Sequence, residues 1–436
     1  MTPAVGYTEM RDSGFPDIGS VPSAWTIMKV KHIFDVICGA TPKENPENWD
    51  GNIPWIGPSD MPMTGTIEHG KRFISELGYA SCGTTLVPQN SIIISTRAPI
   101  GKICIAANRL CTNQGCKALV PRNKSINNGF FAYYLRSIIE RLEVDGTGTT
   151  FKELSTSKLL NEPLIAPPIS EQSAIAAYLD SQCAKIDEII AEVKASIEDY
   201  KQWKASIIYE AVTKGLDPNV EMKDSGIEWI GEIPKRWNTI RLKWLLSNPL
   251  QYGASETGVP YNAALPRYIR ITDISMEGKL KNTEMLSLSE ESATGYILSD
   301  EDILFARSGA TVGKAFFYKK EYGRAAFAGY MIRAKINRNI TLPKYVYFST
   351  MSAGYERWKE TTMTQATIQN ISAARYNEYV IPVPSLKEQI EIVQFVERMN
   401  KKINELISDK SKLIANLDTY KKSLIYEVVT GKRRVI

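Results

Sequence analysis

Two stretches of the chain place apolar residues at alternating steps of three and four, which is the spacing of a coiled-coil seam. The first runs from Glu171 to Thr213 and the second from Glu388 to Thr430, and a shift of 217 residues aligns them without a gap. We predict two helices, each about 60–65 Å long at 1.5 Å per residue, that bury their apolar faces on each other. The predicted seam positions are Ile186, Ile190, Ile197, Ile403, Ile407 and Ile414.

Both predicted helices carry signals at their ends. Glycine appears only past the last turn, at Gly215 and Gly431, where helices commonly stop. Ser385 and Glu388 have the spacing of a capping box at the start of the second helix. The first copy has Pro168 in the position of Ser385, so we expect its start to differ by a residue or two.

The segments that precede the helices also repeat. Asp12 to Trp25 returns as Asp224 to Trp237, both beginning Asp-Ser-Gly, and Gly101-Lys102 returns as Gly313-Lys314, each with a shift of 212 residues. The shift grows from 212 to 217 along the chain, so the loops differ in length while the rest is retained. The sequence therefore predicts two diverged copies of one fold, in which Trp25, Trp237 and the nearby Trp55 are core residues rather than exposed stacking surfaces.

Within each copy, short apolar runs between turn residues predict strands, and aromatic residues on a helical period predict helices. The predicted strands are residues 91–95, 268–272, 303–306 and 379–384, and the predicted helices are residues 128–142 and 343–358. We expect two mixed α and β (α/β) domains separated by two long antiparallel coiled-coil helices. Antiparallel helices would relate the halves by a pseudo-twofold and bring the termini together, in an almost circular arrangement.

The amino-acid composition and net charge exclude few classes of protein function. The chain has 436 residues, of which 43% are hydrophobic and 23% charged, as in ordinary globular proteins. It has no apolar run of membrane-spanning length and no signal peptide at its start, so a cytoplasmic location is expected. The net charge of +5 permits nucleic-acid binding without requiring it.

The motifs of common catalysts do not fit this sequence. Gly309 to Ala315 resembles a phosphate loop but has one residue too few between the glycines, so a hairpin loop is the favoured interpretation. All six cysteines lie in the first copy, and the closest spacing, Cys111 to Cys116, has no counterpart in the second. A structural zinc site is therefore not expected. With only two histidines, triad chemistry is not expected either, and we predict no catalytic residue and no metal site.

The order of domain, long helix, Asp-Ser-Gly-x-x-x-Ile-Gly-x-x-Pro-x-x-Trp, domain and long helix resembles the specificity (S) subunit of type I restriction-modification enzymes over nearly the whole chain. Its most specific parts are Pro167-Pro168 with Glu171-Gln172, Pro382-x-Pro384 with Glu388-Gln389, and the paired Tyr-Glu-x-Val-Thr helix ends. The resemblance implies target-recognition domains at residues 1–170 and 216–384, the latter with a linker at 216–223. It implies a central spacer helix at 171–215, and a C-terminal spacer helix with a basic tail at 385–436.

The same resemblance implies the partners. Each domain would read one part of a bipartite target in double-stranded DNA. The helices would dock two methyltransferase subunits that carry S-adenosylmethionine, and endonuclease/translocase subunits that use ATP and Mg would then join. It implies no cofactor on this chain. The alternative from another class is a coiled-coil scaffold whose two modules bind proteins, and the two are separable because only a DNA reader has a steeply salt-dependent affinity for duplex.

Candidate DNA contacts come from the hairpin loops and from amide-rich segments. Arginine is the usual partner of guanine, and lysine more often holds phosphate. Arg97 with Lys102, and Arg307 with Lys314, are expected at matched places in the two copies. The other candidates are Asn113, Gln114, Arg270, Gln365, Gln369 and Asn370. For each one the alternative is a surface charge or a turn hydrogen bond. On the exposed faces of the helices, the candidates for docking partner subunits are Tyr209, Glu210, Tyr426 and Glu427.

Overall fold

A computed structural model describes residues 7–16, 18–97, 99–144, 153–275, 278–309, 311–363 and 370–435. The chain divides into two compact units. Unit 1 comprises Met1–Val193 and Lys412–Ile436, and unit 2 comprises Lys194–Ser411. Module 1 is the part of unit 1 that precedes the first long helix, and module 2 is the part of unit 2 between the two long helices. Each unit thus contains one module and one segment of each long helix.

Module 1 is built from short strands and helices. Its strands are β1 (Met10–Asp12), β2 (Ser20–Pro22), β3 (Thr26–Lys29), β4 (Phe34–Cys38), β5 (Trp49–Ile56), β6 (Thr66–Ile67), β7 (Arg72–Ile74), β8 (Ile92–Ser95), β9 (Ile103–Ala106), β10 (Cys111–Thr112), β11 (Cys116–Pro121) and β12 (Pro163–Ala166). Its helices are α1 (Val30–Ile33), α2 (Glu76–Ser81), α3 (Asn128–Ser137), α4 (Ile139–Val144) and α5 (Thr156–Asn161), followed by the first long helix, α6 (Ile169–Thr213).

Module 2 has the same kind of content. Its strands are β13 (Met222–Asp224), β14 (Glu232–Pro234), β15 (Asn238–Arg241), β16 (Gln251–Tyr252), β17 (Val259–Pro260), β18 (Arg267–Ile269), β19 (Leu286–Ser287), β20 (Ile303–Ala306), β21 (Ala315–Phe317), β22 (Ala325–Phe327), β23 (Met331–Ala334) and β24 (Val380–Val383). Its helices are α7 (Glu290–Ala293), α8 (Pro343–Ser349), α9 (Ala353–Met363) and α10 (Ala373–Asn377), followed by the second long helix, α11 (Leu386–Val429). Short 3₁₀ turns lie at Pro46–Asn48, Leu242–Leu245, Ile271–Asp273 and Lys320–Tyr322.

The sheets of the two modules have matching strand orders. The order β4-β11-β8-β9 in module 1 returns as β16-β23-β20-β21 in module 2, and β10-β5-β7 returns as β22-β18-β19. The strand that leads into each long helix also pairs in the same way, β12 with β3 and β24 with β15. One parallel pair is also repeated, as β5 with β10 and β18 with β22, whereas the parallel pair of β6 with β9 occurs in module 1 alone among the described strands. The predicted duplication of a mixed α and β fold is therefore confirmed at the level of topology.

The long helices belong to the hydrophobic cores of the units. In unit 1, Trp25 and Phe130 of module 1 share one buried cluster with Ile175 of α6 and Leu424 of α11. In unit 2, Trp237 and Tyr345 of module 2 share a buried cluster with Val212 of α6 and Val396 of α11. Because each module and its helix segments exclude water from a common core, their folding is coupled.

Several element boundaries differ from those predicted. The strands at 91–95 and 303–306 are present as β8 and β20, but each predicted aromatic helix is two helices, α3 with α4 and α8 with α9. In module 2 the break comes where the Ser352 hydroxyl accepts a hydrogen bond from the backbone N–H of Tyr355, which starts a new helix. The strand predicted at 268–272 ends at Ile269 because Asp273 accepts from the Arg270 backbone N–H at 2.7 Å and forms a 3₁₀ turn.

The start of the first long helix was predicted wrongly. Helix α6 begins at Ile169 and α11 at Leu386, so the shift of 217 holds at the first residue. Proline at position 168 does not move the start, because the first residues of a helix have no intrahelical use for their N–H groups. The capping box of α11 is confirmed, with Ser385 Oγ accepting from the Glu388 N–H and Glu388 Oε2 accepting from the Ser385 N–H, both at 3.3 Å.

No helix within the described ranges has the combination of length and apolar content that crossing a lipid bilayer requires. Nor does the described part of the chain contain a group of three or more His, Cys, Asp or Glu side chains placed to hold a metal ion. Cys111 and Cys116 are buried free thiols, and burial raises their pKa to about 11 and about 12 respectively.

Candidate nucleic-acid interface and helix junctions

The two long helices pack against each other in both units, and they do so in the same register. In unit 1, Lys421 Nζ of α11 donates to Asp187 Oδ2 of α6 at 2.6 Å. In unit 2, Lys204 Nζ of α6 donates to Asn404 Oδ1 of α11 at 3.1 Å. Positions 187 and 404, and positions 204 and 421, are each related by the shift of 217. The repeat in sequence is therefore also a repeat of the helix pairing.

The six predicted seam residues are buried to different degrees. Ile186, Ile190 and Ile403 are buried, with 6%, 7% and 1% of their surface exposed. The side chains of Ile197, Ile407 and Ile414 are partly buried. Burial of these isoleucines removes apolar surface from water where the two long helices pack together, and this stabilises their packing.

A tryptophan joins the helices to each module. Trp25 Nε1 donates to Glu171 Oε2 of α6 at 3.0 Å, and Trp237 Nε1 donates to Glu388 Oε1 of α11 at 3.2 Å. Both indoles are 1% exposed, which confirms that they are core residues. Each indole also meets the glycine after the other helix. A Cβ on Gly431 would lie 3.3 Å from Trp25 and 2.3 Å from Pro22, and one on Gly215 would lie 3.1 Å from Trp237.

The glutamine beside each of these glutamates fastens the same junction. Gln172 Oε1 accepts from the Asn127 N–H at 2.9 Å, and its Nε2 donates to the Pro167 carbonyl at 2.8 Å. Gln389 Oε1 accepts from the Leu342 N–H at 2.8 Å, and its Nε2 donates to the Pro384 carbonyl at 2.9 Å. The Glu-Gln pair therefore fixes the angle at which each module meets its helix. The sequence marked this pair as part of a resemblance but did not reveal its role.

The described residues near the two ends of the chain contact each other within unit 1. Lys432 Nζ donates to the backbone carbonyl of Ile18 and to the hydroxyl of Tyr426. The Arg434 guanidinium lies over the ring of Tyr7, 5.7 Å from its centroid. The basic tail is thus held on module 1 at the end of α11.

The hairpin loops predicted from the Gly-Lys pairs are present between β8 and β9 and between β20 and β21. Their arginines are not at matched places, however. The Thr96 N–H donates to the Gly115 carbonyl and the Arg307 N–H donates to the Tyr330 carbonyl, so Arg307 corresponds to Thr96. Arg97 corresponds instead to Ser308, since these residues form the next backbone bridges, with Glu153 and Asn370 respectively. The prediction missed this because the second loop is one residue longer.

Several predicted DNA-binding side chains have partners inside the protein. Arg97 forms an ion pair with Glu153 at 3.0 Å. Lys102 Nζ donates to the carbonyls of Pro58 and Met61 at 2.9 and 3.2 Å, and Lys314 Nζ donates to the carbonyl of Ser275. Both lysines hold a neighbouring loop against their hairpin. Their contact with DNA stays a prediction.

Arg270 and the amides of module 1 are also engaged. Arg270 donates to both carboxylate oxygens of Asp273, at 3.1 and 2.8 Å, and this hydrogen bonding raises the pKa of Arg270. Asn113 Oδ1 accepts from the Gly115 N–H at 2.8 Å, as a turn residue does. Gln114 is exposed, and its Oε1 accepts from the Thr41 hydroxyl at 2.5 Å.

Arg307 differs from these. Its guanidinium lies over the ring of Tyr252, 4.9 Å from the centroid, and its Nε is buried without a hydrogen-bond partner among the described residues. Tyr330, whose carbonyl holds the Arg307 backbone, is 68% exposed. Asn370 is exposed beside the same loop. Gln365 and Gln369 lie outside the described residues.

Three of the four residues predicted to dock partner subunits form hydrogen bonds within the chain near the ends of the long helices. The Tyr209 hydroxyl donates to the Ile230 carbonyl at 2.8 Å, and Tyr426 accepts from Lys432. Glu427 Oε1 accepts from the Ser423 hydroxyl at 3.1 Å, while Glu210 is exposed. A docking role for these four residues stays a prediction.

The helices also expose apolar residues that sequence reasoning missed. Ile189 and Leu406, related by the shift of 217, are 43% and 42% exposed. Trp203 and Tyr420, related by the same shift, are 48% and 45% exposed. Ile189 and Tyr420 belong to unit 1, and Trp203 and Leu406 belong to unit 2. Each unit therefore exposes an equivalent pair of large apolar side chains on its segments of the long helices.

Comparison with known proteins places this arrangement in a family. A family model described as "Type I restriction modification DNA specificity domain" matches residues 22–199 and 261–416. The chain belongs to this family, the non-catalytic specificity subunits of type I restriction-modification enzymes, which recognise DNA targets and assemble with the other subunits of those enzymes.

Curated relatives and solved structures agree with this membership. The chain is 27% identical to the type I restriction enzyme MjaIX specificity subunit of Methanocaldococcus jannaschii, over 98% of this chain and 97% of the relative. It is 23% identical to the EcoKI specificity subunit of Escherichia coli, over 95% of this chain and 90% of the relative. A chain from a study of assembly and conformational transition of the type I R-M system shares the fold with a TM-score of 0.72, at 15% identity and over 94% and 99% of the two chains. The HsdS subunit of Thermoanaerobacter tengcongensis gives a TM-score of 0.51 at 14% identity, over 96% and 99%.

Proposed function

We propose that this chain selects the DNA target of a type I restriction-modification complex by reading a bipartite, asymmetric site. The first target-recognition domain spans residues 1–170 and reads one half-site, and the second spans residues 216–384 and reads the other. Helices at 171–215 and 385–436 set the unread spacer between the half-sites. A location in the cytoplasm, with the DNA that the complex reads, belongs to the same proposal.

The observation that carries this proposal is the contrast between the matched topology and the unmatched residues at the hairpin positions. Four strands of one sheet and three of the other have the same order in both modules, and the helix junctions repeat Trp-to-Glu hydrogen bonds. At the hairpins, by contrast, Thr96 in module 1 occupies the position of Arg307 in module 2. Direct readout depends on the side chains that face the base edges, so two such modules select different half-sites.

The exposed apolar pairs support the docking of two methyltransferase subunits, one on each unit. Ile189 with Tyr420, and Trp203 with Leu406, are equivalent by the repeat and similarly exposed. Exposed aromatic and aliphatic side chains are typical anchors of protein interfaces. The methyltransferases carry S-adenosylmethionine, and endonuclease/translocase subunits that use ATP and Mg complete the assembly. This chain contributes no cofactor of its own.

The experiment is to co-express the chain with its methyltransferase subunit and to map methylated sites in the host genome. We expect one motif with two different half-sites at a constant spacing. Binding of the purified complex to a duplex with that motif should weaken linearly with salt concentration on a logarithmic plot. A complex that methylates nothing and has no affinity for duplex would favour the scaffold alternative.

A further inference from the structure

We propose that Arg307, oriented by Tyr252 and flanked by Tyr330, reads a guanine in the half-site of module 2, and that module 1 has no equivalent reader at the matching position. This inference rests on the proposed function and adds to it one residue, one base and one half-site. The ligand is the major-groove edge of guanine, whose N7 and O6 are both hydrogen-bond acceptors.

The backbone around Arg307 is fixed on both sides. Its N–H donates to the Tyr330 carbonyl at 3.0 Å, and its carbonyl accepts from the Ile371 N–H at 2.8 Å. Arg307 directly follows β20, whose residues 303–306 are all buried. The side chain therefore projects from a rigid strand end rather than from a freely moving loop, which is the arrangement that precise recognition requires.

Tyr252 orients the guanidinium. The Arg307 Cζ lies 4.9 Å from the centroid of the Tyr252 ring, which is within the range of a cation–π interaction. The ring is itself held, because the Tyr252 hydroxyl accepts a hydrogen bond from the Ala373 N–H at 3.1 Å. Tyr252 is thus a positioning residue that reduces the conformational entropy lost when Arg307 binds.

No described residue accepts a hydrogen bond from the side chain of Arg307, and its buried Nε leaves contact with a ligand to the two terminal nitrogens. Among the described residues, no acceptor pairs with its Nε, and no carboxylate forms an ion pair with it. The two other arginines predicted to bind DNA are each paired with a carboxylate, Arg97 with Glu153 and Arg270 with Asp273. A guanidinium without a carboxylate partner offers the two parallel N–H groups that match guanine O6 and N7.

Module 1 presents different groups at this locus. The backbone hydrogen bonds place Thr96 at the position of Arg307 and Gly115 at that of Tyr330. The Thr96 hydroxyl accepts from Lys117 Nζ at 3.3 Å, and this buried ammonium also donates to the Leu154 carbonyl at 3.1 Å. In module 1 the position that corresponds to Arg307 is therefore occupied by a buried threonine whose partner is a lysine of the same module.

The test uses the complex of the full chain with its methyltransferase subunit and duplexes carrying the mapped motif. Each guanine is replaced in turn by 7-deazaguanine, which lacks the N7 acceptor. We expect one guanine, in one half-site only, whose replacement weakens binding by about tenfold, as expected for loss of a hydrogen bond to a charged group. No change in the protein is needed for this measurement.

Variants then assign that guanine to Arg307. Arg307→Ala should weaken binding by about 5- to 150-fold and make the complex insensitive to the 7-deazaguanine substitution. Arg307→Lys should not restore the loss, because lysine lacks the planar pair of donors. Arg97→Ala, the same substitution at the hairpin arginine of module 1, should keep the full sensitivity.

Two results would overturn the inference while leaving the proposed function intact. One is that Arg307→Ala still responds to the 7-deazaguanine in the same way as the unaltered complex. The other is that Arg307→Lys binds normally and Arg307→Ala lowers the salt dependence by about one counterion, as loss of a phosphate contact does. If the complex recognises no bipartite motif, the proposed function fails and this inference fails with it.

Discussion

Asp187 and Lys421 form an ion pair across the two long helices, with Lys421 Nζ 2.6 Å from each carboxylate oxygen. The same two positions in the other copy hold Asn404 and Lys204, joined by one hydrogen bond of 3.1 Å. One contact therefore occurs twice in the same register, once with a full negative charge and once with a neutral amide. The Asn404–Lys204 contact therefore serves as a neutral reference for measuring what the Asp187 carboxylate contributes to stability.

Restoring the carboxylate in the second copy should stabilise the protein. Burial, followed by the nearby Lys279, lowers the pKa of Lys204 below its unfolded value. Lys204 therefore costs stability at neutral pH, and this cost disappears as the pH rises through the lowered pKa toward the unfolded one. Asn404→Asp should raise the pKa of Lys204, add up to about 1 kcal/mol at neutral pH, and reduce the gain in stability on going to about pH 10. Urea unfolding at both pH values measures this.

The reverse change is the control. Asp187→Asn should cost less than about 1 kcal/mol, because Asp187 is exposed and an amide at this position still accepts from the lysine, as Asn404 does. Unfolding curves for Asn404→Asp that match the unaltered protein at both pH values would contradict the predicted coupling.

The seam should not tolerate charge. Ile186→Asp combined with Ile403→Asp buries two carboxylates at positions that are 6% and 1% exposed, and each unpaired charge costs several kcal/mol. We expect loss of the cooperative melting transition, of complex assembly and of methylation together. Ile189→Asp is the matched control for melting alone, since it is the same substitution on the same helix at a position that is 43% exposed, and it should melt normally. A double variant that assembles and methylates its site would contradict the seam.

We expect each exposed apolar pair to be required for binding one of the two proposed methyltransferase subunits. Ile189→Asp with Tyr420→Glu alters only the unit 1 pair, so the complex should keep one methyltransferase instead of two. Trp203→Glu with Leu406→Asp alters only the unit 2 pair and should have the same effect, and all four changes together should leave none. Native mass spectrometry gives the stoichiometry, and thermal melting of each variant shows that the fold is retained. Two methyltransferases on the fourfold variant would place the docking surface elsewhere.

The indole hydrogen bond at the second junction should protect α11 against acid. Burial opposes ionisation of Glu388, but hydrogen bonds from Arg236, Ser385 and Trp237 outweigh it and lower the pKa of this carboxylate. A lowered carboxylate pKa contributes stability above the unfolded value of about 4.3, and that stability is lost as the pH falls through the folded pKa. Trp237→Phe removes one donor, so we expect a cost of about 1 kcal/mol at neutral pH and an acid unfolding midpoint at higher pH.

Circular dichroism at 222 nm during an acid titration follows this transition. Glu388→Gln provides the control, because a neutral side chain at position 388 should abolish this part of the acid sensitivity. An unchanged acid midpoint in Trp237→Phe would show that the indole hydrogen bond is not coupled to the ionisation of Glu388.

Much of the architecture followed from local pattern. The heptad spacing and the capping residues of α11 involve residues that are one or two helical turns apart, so the sequence alone predicts these helices. The duplication was visible because Trp25 and Trp237 keep the same place relative to their Asp-Ser-Gly segments. We predicted that both tryptophans are buried because a residue retained in both copies of a fold is expected to belong to its core.

The candidate interface was predicted less well, for a physical reason. Arg97 and Arg307 look equivalent in sequence because each lies near a Gly-Lys pair. Their true places depend on which backbone N–H pairs with which carbonyl across a sheet, and one extra residue in a loop shifts that pairing. The roles of Lys102 and Lys314 depend on carbonyl groups from distant loops, which no local pattern reveals.

The sequence by itself determined two copies of one fold, two long helices and the family they indicate, because periodicity and repetition are properties of consecutive residues. Only the tertiary structure decided which charged side chains remain free to bind a partner. Glu153 neutralises Arg97 and Asp273 neutralises Arg270, whereas Tyr252 holds Arg307 without neutralising it. Such pairings join residues far apart in the chain or on opposite sides of a turn, and their geometry exists only once the sheets have formed.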